Sequence, residues 1–286
     1  MNLTNIGTVK DILGRHGFNF SKGLGQNFLI NPDICPKIAE MGNAREGYGV
    51  LEIGTGIGVL TKELALRADK VSAVEIDTRL MPVLDETLKE FDNIKIYNED
   101  VMKADLHKII SEDFAGLRAA VCANLPYYIT SPVIMLLLES HLPIDSITVM
   151  VQKEAAQRLC AKVGSRESGA ITVGVNYYGT VKQLFGVSRG SFMPSPNVDS
   201  AVIRIDIDRE QRLSPEEEKF FFRMVKAGFS QRRKTLANSL CSMLGIAKNY
   251  VYTSLSDLGI SESVRIEALT MEQLMALTKV LMNYSK

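Results

Sequence analysis

The chain has 286 residues, of which 46% are hydrophobic, enough to bury a sizeable core beside a smaller domain and too many for a disordered chain. Its 33 Lys and Arg residues balance 33 Asp and Glu residues, which excludes the global positive field of a histone-like nucleic-acid binder. The cysteines form no CxxC or CxxH pair and the histidines show no ligand spacing, so no metal site is predicted. No run is long and apolar enough for a secretion signal or a membrane span, and we expect a soluble, cytoplasmic protein.

The first half of the chain follows the pattern of stacked βαβ units, in which short apolar runs alternate with amphipathic helical stretches. Helices are predicted at 60–67 and 80–91, where apolar residues recur at spacings of three and four. The predicted strands are residues 50–53, 71–75, 94–97, 119–123 and 147–151. This alternation predicts a doubly wound parallel sheet, which binds ligands beyond the carboxyl ends of its strands.

The second half of the chain changes character in two steps. The β-rich stretches 171–178 and 198–207 flank a loop that contains glycine and proline, and both are predicted as edge elements of the same sheet. Further on, Ser214 and Pro215 precede a run of glutamates, which is the pattern of a helix start. No proline and no convincing strand follow. The sequence therefore predicts a first domain over residues 1–208 and a small all-α domain over residues 209–286.

A glycine-rich turn follows the first predicted strand and opens a helix. Gly54, Gly56 and Gly58 are spaced GxGxG, whereas the dinucleotide fingerprint is GxGxxG with a pyrophosphate at the helix start. Glu52 before the turn is expected to add a negative charge, which favours a cationic ligand over a pyrophosphate. S-adenosylmethionine therefore fits better than NAD. The alternative is a tight strand-to-helix turn that binds nothing.

Two carboxylates end the next two strands at the same edge of the predicted sheet. Glu75 lies about twenty residues beyond the turn, where a carboxylate can accept hydrogen bonds from both ribose hydroxyls. Asp100 is placed to accept a hydrogen bond from an adenine amine. Either side chain alone could be a solvated strand end, but together with the glycine turn they predict a cofactor site.

The fourth predicted strand ends in the tetrapeptide Asn124, Leu125, Pro126, Tyr127. The N6 amine of adenine is a poor nucleophile because its lone pair is delocalised into the ring, so an enzyme must hold it with hydrogen-bond acceptors. Asn124 offers a side-chain carbonyl, and Leu125 offers a backbone carbonyl that Pro126 keeps extended. Tyr127 offers a face on which an extruded base can stack. The alternative is that proline and tyrosine merely end a strand and pack a core.

A basic stretch near the start of the helical domain is a candidate RNA-binding surface. Phosphates would be neutralised by its side chains, although an ordinary solvated helix face has the same composition. The stretch contains Lys219, Arg223, Lys226, Arg232, Arg233 and Lys234. Lys10, Arg15 and Lys22 near the start of the chain could add contacts. Phe192 is a candidate second stacking face, with core packing as its alternative.

These motifs resemble those of the ribosomal RNA adenine dimethyltransferases, a family that includes the small-subunit dimethyladenosine transferases, the macrolide-resistance methyltransferases and mitochondrial transcription factor B. The resemblance covers nearly the whole chain. Its segments are residues 25–29, 51–58, 124–127, 151–154, 158–159, 194–196 and 198–200, and residues 229–236 resemble the carboxyl-terminal signature of the small-subunit enzymes.

The resemblance implies a Rossmann-like class I methyltransferase fold with a mostly parallel seven-stranded sheet. It implies that residues 1–208 bind S-adenosylmethionine, with an arm over about residues 1–30 that contacts cofactor and RNA, and that residues 209–286 bind RNA. The cofactor contacts carried over are Asn27, Leu29, Gly54, Gly56, Glu75, Asp100 and Asn124. The implied reaction is dimethylation of the N6 amines of two adjacent adenosines in a hairpin loop near the 3′ end of 16S rRNA, in the 30S subunit or its precursor, by a monomeric enzyme with a possible role in subunit biogenesis.

Two positions depart from the family pattern: Thr55 stands where proline is frequent, and Asn197 stands where a basic residue is frequent. Four alternatives remain open. Two are methyltransferases of large-subunit RNA or of DNA, against which residues 231–234 argue. The third is a binding factor without turnover, which would not need its intact site residues Glu75, Asp100, Asn124 and Tyr127. The fourth is a NAD-dependent oxidoreductase, which the GxGxG spacing disfavours.

Overall fold

The computed structural model of the chain describes residues 1–19 and 25–284. Seven strands form one sheet in the order β4-β3-β2-β5-β6-β9-β7, and β1 pairs with β8 in a separate two-stranded sheet. The strands are β1 (Phe28–Leu29), β2 (Tyr48–Ile53), β3 (Lys70–Val74), β4 (Ile94–Tyr97), β5 (Arg118–Asn124), β6 (Ser146–Gln152), β7 (Gly179–Val187), β8 (Phe192–Met193) and β9 (Ser200–Ile207). The mostly parallel seven-stranded sheet predicted from the sequence is confirmed.

The strand order reverses between β2 and β5. The strands from β4 to β6 are parallel to one another, and β9 runs antiparallel to β6. From β2 the chain moves outward to β3 and β4, then returns to the other side of β2 as β5. A doubly wound sheet binds its ligands in the crevice at such a reversal, outside the carboxyl ends of the strands.

Helices alternate with the strands in the first part of the chain, and after β9 the described chain continues with helices alone. They are α1 (Ile6–Arg15), α2 (Ile34–Met41), α3 (Val59–Ala65), α4 (Met81–Thr87), α5 (Leu106–Asp113), α6 (Thr130–Glu139), α7 (Lys153–Leu159), α8 (Ala170–Tyr178), α9 (Pro215–Ser230), α10 (Leu236–Leu244), α11 (Lys248–Asp257) and α12 (Met271–Leu281). In one hydrophobic cluster, Ile38 of α2 and Leu64 of α3 are fully buried with Val50 of β2. Each such side chain contributes about 1.5–3 kcal/mol by leaving water.

The amino-terminal helix packs against α4, the α-helix that follows β3 in the chain. Ile12 of α1 and Leu84 of α4 belong to a second hydrophobic cluster. Arg15 donates to Glu86 at 2.8 Å, and a ring nitrogen of His16 lies 2.8 Å from the same carboxylate. Lys22, predicted as an RNA contact, lies outside the described residues.

The prediction of an edge strand at 171–178 is wrong, because these residues form α8. The β-branched residues that suggested a strand are buried, and the helix begins where the backbone amide of Gly169 donates to the Thr172 hydroxyl at 2.9 Å. Its far end packs against α9: the rings of Tyr177 and Phe221 lie 5.0 Å apart, and the Tyr178 hydroxyl donates to Glu218 at 2.8 Å. Packing on this scale overrides a weak strand propensity. The edge strand is instead β7, and β9 lies inside the sheet.

The described chain forms two compact units. The first contains residues 1–156 and 181–207, and the second contains residues 157–180 and 208–286. The sequence-based boundary at 208/209 assigned residues 157–180 to the first domain, whereas they lie in the helical unit. The predicted roles of the two domains stay predictions.

Candidate active site

A cavity of about 310 Å³ opens at the carboxyl ends of β2 and β5, where the strand order reverses. It is built from the stretch around β1, the glycine turn, the ends of β3 and β4, and the residues after β5, all within the first unit. The predicted site residues that line it are Asn27, Leu29, Gly54, Gly56, Glu75, Asp100, Asn124, Leu125, Pro126 and Tyr127. The structure thus brings all the predicted cofactor and target-base residues together, while the role of each stays a prediction.

The glycine turn keeps its backbone close to the cavity. Gly54 and Gly56 have φ values of 76° and 55°, in the left-handed region that side-chain-bearing residues avoid. The Gly54 amide donates to the Val74 carbonyl at 2.9 Å, which ties the turn to the end of β3. A Cβ atom on Gly56 would lie 3.2 Å from the Phe28 ring, so a side chain there would displace the wall of the cavity.

The carboxylate of Glu75 accepts hydrogen bonds from the glycine turn and from the backbone just after β3. Its Oε1 accepts the Asp77 backbone amide at 2.9 Å. Its Oε2 accepts the Thr55 hydroxyl at 3.0 Å and the Gly56 amide at 3.2 Å. Burial raises the pKa of Glu75, and these hydrogen bonds oppose the rise because they favour the charged form.

Glu52, which also lines the cavity, is completely buried, and neither carboxyl oxygen has a hydrogen-bond partner among the described residues. Burial raises the pKa of Glu52 to about 8. The Thr61 hydroxyl, which is close by but outside hydrogen-bonding geometry, opposes the rise, and the nearby charge of Glu75 adds to it. The carboxyl group is therefore mostly protonated at neutral pH. Full burial thus favours the neutral form of Glu52, and the negative charge expected at this position from the sequence stays a prediction.

Two exposed apolar side chains flank the carboxylates of the cavity and were missed in the sequence. Ile76 is 52% exposed and Met102 is 43% exposed, although both line the cavity. Asp100 lines the same cavity, and its Oδ1 accepts the Met102 amide at 3.0 Å. Each apolar residue follows shortly after a carboxylate at a strand end, and that spacing is the only signal by which they could have been found.

The tetrapeptide after β5 is anchored at both ends. Asn124 is the last residue of the strand, and the carbonyl of Pro126 accepts the Ile129 amide at 3.1 Å to close a 3-10 turn. The Tyr127 hydroxyl shares a hydrogen bond with the Ser200 hydroxyl on β9 at 2.8 Å. Ser200 is 1% exposed, and this contact too was missed. Tyr127 is thereby fixed at the cavity, while the next residue, Tyr128, is 59% exposed at the same cavity.

The segment around β1 closes another wall. Asn27 donates through its side chain to the Gly25 carbonyl at 3.0 Å. Pairing of β1 with β8 places Leu29 opposite Phe192. Phe192 is only 4% exposed and belongs to a hydrophobic cluster, so it packs the wall of the cavity, and an open stacking face at this position is contradicted.

The candidate RNA-binding residues lie on the helical unit. Lys219, Arg223 and Lys226 are exposed on one face of α9, at a spacing of four and then three. Arg233 and Lys234 are also exposed. Arg232 instead donates to the carbonyls of Arg166 at 2.8 Å and Ser168 at 3.3 Å, so its guanidinium is at least partly engaged within the unit.

Two further properties concern the whole of the described chain. Over residues 1–19 and 25–284, no helix is both long and apolar enough to cross a membrane. Within the same residues, no group of three or more His, Cys, Asp or Glu side chains is placed to hold a metal ion.

The chain is similar to proteins of known name over nearly its full length. A family model described as ribosomal RNA adenine dimethylase matches residues 17–283. A ribosomal RNA small subunit methyltransferase A from Geobacillus sp. (strain WCH70) is 46% identical over 279 residues, which cover 96% of each chain. A dimethyladenosine transferase from Plasmodium falciparum has 28% identity and a TM-score of 0.74, covering 90% of this chain and 98% of that one. The 23S rRNA methyltransferase ErmE has 29% identity and a TM-score of 0.68, covering 89% of this chain and 99% of that one. The chain belongs to the ribosomal RNA adenine dimethylase family and is a methyltransferase.

Proposed function

We propose that this enzyme uses S-adenosylmethionine to dimethylate the N6 amines of two adjacent adenosines in a hairpin loop near the 3′ end of 16S rRNA, with the 30S subunit or its precursor as substrate. The observation that carries the proposal is the shared cavity: the glycine turn and the tetrapeptide Asn124–Tyr127 open into one space. A Cβ placed on Gly54 would lie 4.0 Å from the Asn124 carbonyl oxygen, so cofactor and target-base residues are immediate neighbours.

The residues of the cavity fit the cofactor. Glu75 offers carboxylate oxygens at the end of β3 for ribose hydroxyls, and Asp100 offers an acceptor for an adenine amine. Ile76 and Met102 provide exposed apolar surface in the same cavity as Asp100, which suits a flat aromatic ring. Asn27 and Leu29 close the opposite wall. When bound, S-adenosylmethionine supplies an electrophilic methyl group on its sulfonium.

The residues after β5 act on the target base. The side-chain carbonyl of Asn124 and the backbone carbonyl of Leu125 accept hydrogen bonds from the N6 amine and favour a nitrogen whose lone pair is free to react. Tyr127 stacks against the extruded ring, and its ring is held in place by Ser200. The catalytic contribution is mainly positioning in a space from which water is displaced.

We assign RNA binding to the helical unit through Lys219, Arg223, Lys226, Arg233 and Lys234. Each of these side chains would increase the affinity of the enzyme for RNA by neutralising a phosphate group. None of these five side chains makes an ion pair with another residue of the described chain, which leaves their charge available. Arg232 is assigned a mainly structural role, because it holds the backbone at residues 166–168.

The choice of the small subunit rests on the degree of similarity. The Geobacillus small-subunit enzyme is 46% identical to this chain, whereas ErmE, which is named for 23S rRNA, is 29% identical. We propose further that the enzyme acts as a monomer. Its place of action would be the cytoplasm, where bacteria such as those of the curated relatives assemble their ribosomal subunits.

Methyl transfer to isolated subunits tests the proposal. Unmethylated 30S and 50S subunits are incubated with radiolabelled S-adenosylmethionine, and the labelled nucleosides are separated. Dimethyladenosine from 30S subunits alone is the expected result. Label in 50S subunits would show that the enzyme modifies large-subunit RNA instead. The Asn124→Ala variant is the matched control, since it should bind cofactor without labelling either subunit. Cofactor binding without any label from the unmodified enzyme would contradict the proposal.

A further inference from the structure

We propose that Thr55 is a positioning residue for the cofactor, whose hydroxyl keeps the Glu75 carboxylate ionised and aimed into the cavity. The inference rests on the proposed use of S-adenosylmethionine. It concerns a buried hydroxyl group inside the glycine turn, to which the proposed function assigns no role.

The geometry gives Thr55 a defined partner. Its side chain is 5% exposed, inside the glycine turn, and its Oγ1 lies 3.0 Å from Glu75 Oε2. The same hydroxyl lies 3.4 Å from the Gly56 carbonyl, which is a weaker alternative acceptor. Of the two acceptors the carboxylate is both nearer and charged, and a hydrogen bond to a charged acceptor is stronger.

The surroundings explain why Glu75 needs such a donor. The carboxylate is 6% exposed, and burial raises its pKa. Charged and titratable groups around it offer little help. Glu52 on β2 is an acid, Asp100 after β4 lines the same cavity, and Asp77 is neutralised by Arg79 through a contact of 2.6 Å. The Asp77 and Gly56 amides and the Thr55 hydroxyl, with a smaller contribution from the Thr55 amide, therefore favour the charged form of Glu75.

A fixed and ionised Glu75 matters for a ribose. Two neighbouring hydroxyl groups can donate to a carboxylate only if its oxygens accept, and a protonated carboxyl loses part of that capacity. The Thr55 hydroxyl and the Gly56 amide occupy Oε2 and the Asp77 amide occupies one position of Oε1, so of the roughly four acceptor positions of the carboxylate the one left on Oε1 is available to a ribose hydroxyl. Loss of the hydroxyl should therefore weaken cofactor binding. It should also raise the pH at which protonation of Glu75 begins to reduce the affinity for the cofactor.

The test is the pH dependence of cofactor affinity, measured by titration calorimetry with S-adenosylmethionine and S-adenosylhomocysteine between about pH 5.5 and about pH 8.5. Thr55→Val, which keeps the shape of the side chain, should bind about tenfold more weakly near pH 6.5, with the acid midpoint raised by about one pH unit. Thr55→Ser should restore both values. Thr278→Val is the matched control, because Thr278 is also fully buried but its hydroxyl donates to the Leu274 carbonyl within α12.

The outcomes separate the two proposals. Equal weakening at every pH, with an unmoved midpoint or no rescue by serine, would mean that Thr55 only packs the turn, and would overturn the inference. Glu75→Gln should remove the acid midpoint altogether; if it persists, another group titrates and the inference is also wrong. An unmodified enzyme that binds neither compound would instead refute the proposed function itself.

Discussion

Replacing Glu52 with glutamine should stabilise the enzyme at alkaline pH, because the unmodified protein loses stability as the pH rises. Glu52 is completely buried without a hydrogen-bond partner among the described residues, and its pKa is raised to about 8 in the folded protein. In an unfolded chain the same group titrates near 4.3. Between these two values the folded state holds a proton that the unfolded state has lost, so the free energy of unfolding falls as the pH increases.

The size of this effect follows from the two pKa values. They differ by about 3.7 pH units, and each unit corresponds to about 1.4 kcal/mol, so the unmodified protein loses as much as about 5 kcal/mol between about pH 4.3 and about pH 8. This is comparable with the whole stability of a small domain. Glutamine cannot ionise, and the variant avoids the loss. A buried amide without partners has its own cost of about 1–3 kcal/mol, but that cost does not depend on pH.

Urea unfolding followed by circular dichroism at four or five pH values measures the difference. Near pH 5 the two proteins should differ only by the constant cost of the amide, and above about pH 8 the variant should be the more stable by several kcal/mol. Glu112→Gln provides the control, since that carboxylate is 56% exposed and already in water. Parallel stability curves for Glu52→Gln and the unmodified protein would show that Glu52 is ionised in the folded state, and the reasoning from burial would be refuted.

Three further predictions address catalysis and RNA binding. Asn124→Ala should leave the affinity for S-adenosylmethionine within a few fold but remove most turnover, as measured by calorimetry and single-turnover labelling; unchanged turnover would exclude the assigned role of the side chain. Ser200→Ala and Tyr127→Phe each remove the 2.8 Å hydrogen bond between these residues, so each should lower kcat/KM for the RNA about threefold to tenfold, and the double variant should be no worse than either. Additive losses would mean that the hydrogen bond does not position the ring. Replacing Lys219, Arg223 and Lys226 with glutamine should reduce the slope of log Kd for RNA against log salt by about 2. Lys89→Gln, at an exposed lysine just after α4 in the first unit, should leave the slope unchanged. An unaltered slope in the triple variant would show that α9 does not contact phosphates.

The central sheet could be predicted because its strands carry their own signal. Residues buried on both faces form near-continuous apolar runs, and β6 (Ser146–Gln152), in which all but the last residue are buried, contains the predicted strand 147–151. The edge strand β4 (Ile94–Tyr97) is only partly buried, and its bounds also match the prediction. The cavity could be predicted for a related reason: polar residues and glycines that follow parallel strands must meet at one edge. Glu75, Asp100 and Asn124 were found in this way.

The remainder depends on contacts between distant parts of the chain. The helix α8 is buried and rich in β-branched residues, so only its packing against α9 distinguishes it from a strand. The short pairing of β1 with β8 joins residues more than 160 positions apart and leaves no local pattern. The protonation of Glu52 and the contacts of Thr55 and Ser200 likewise arise from enclosure in three dimensions, which composition and spacing do not encode.

The helical unit is made from two separate stretches of chain, residues 157–180 and 208–286. A protein truncated after residue 208 would therefore still carry residues 157–180, which belong to the helical unit. It would leave α8 without α9, and the rings of Tyr177 and Tyr178 would lose Phe221, Phe222 and Glu218 as partners. Apolar surface uncovered in this way promotes aggregation. Truncation at the carboxyl terminus therefore cannot remove the helical unit as a whole. A deletion or exchange of this unit must include both stretches of the chain.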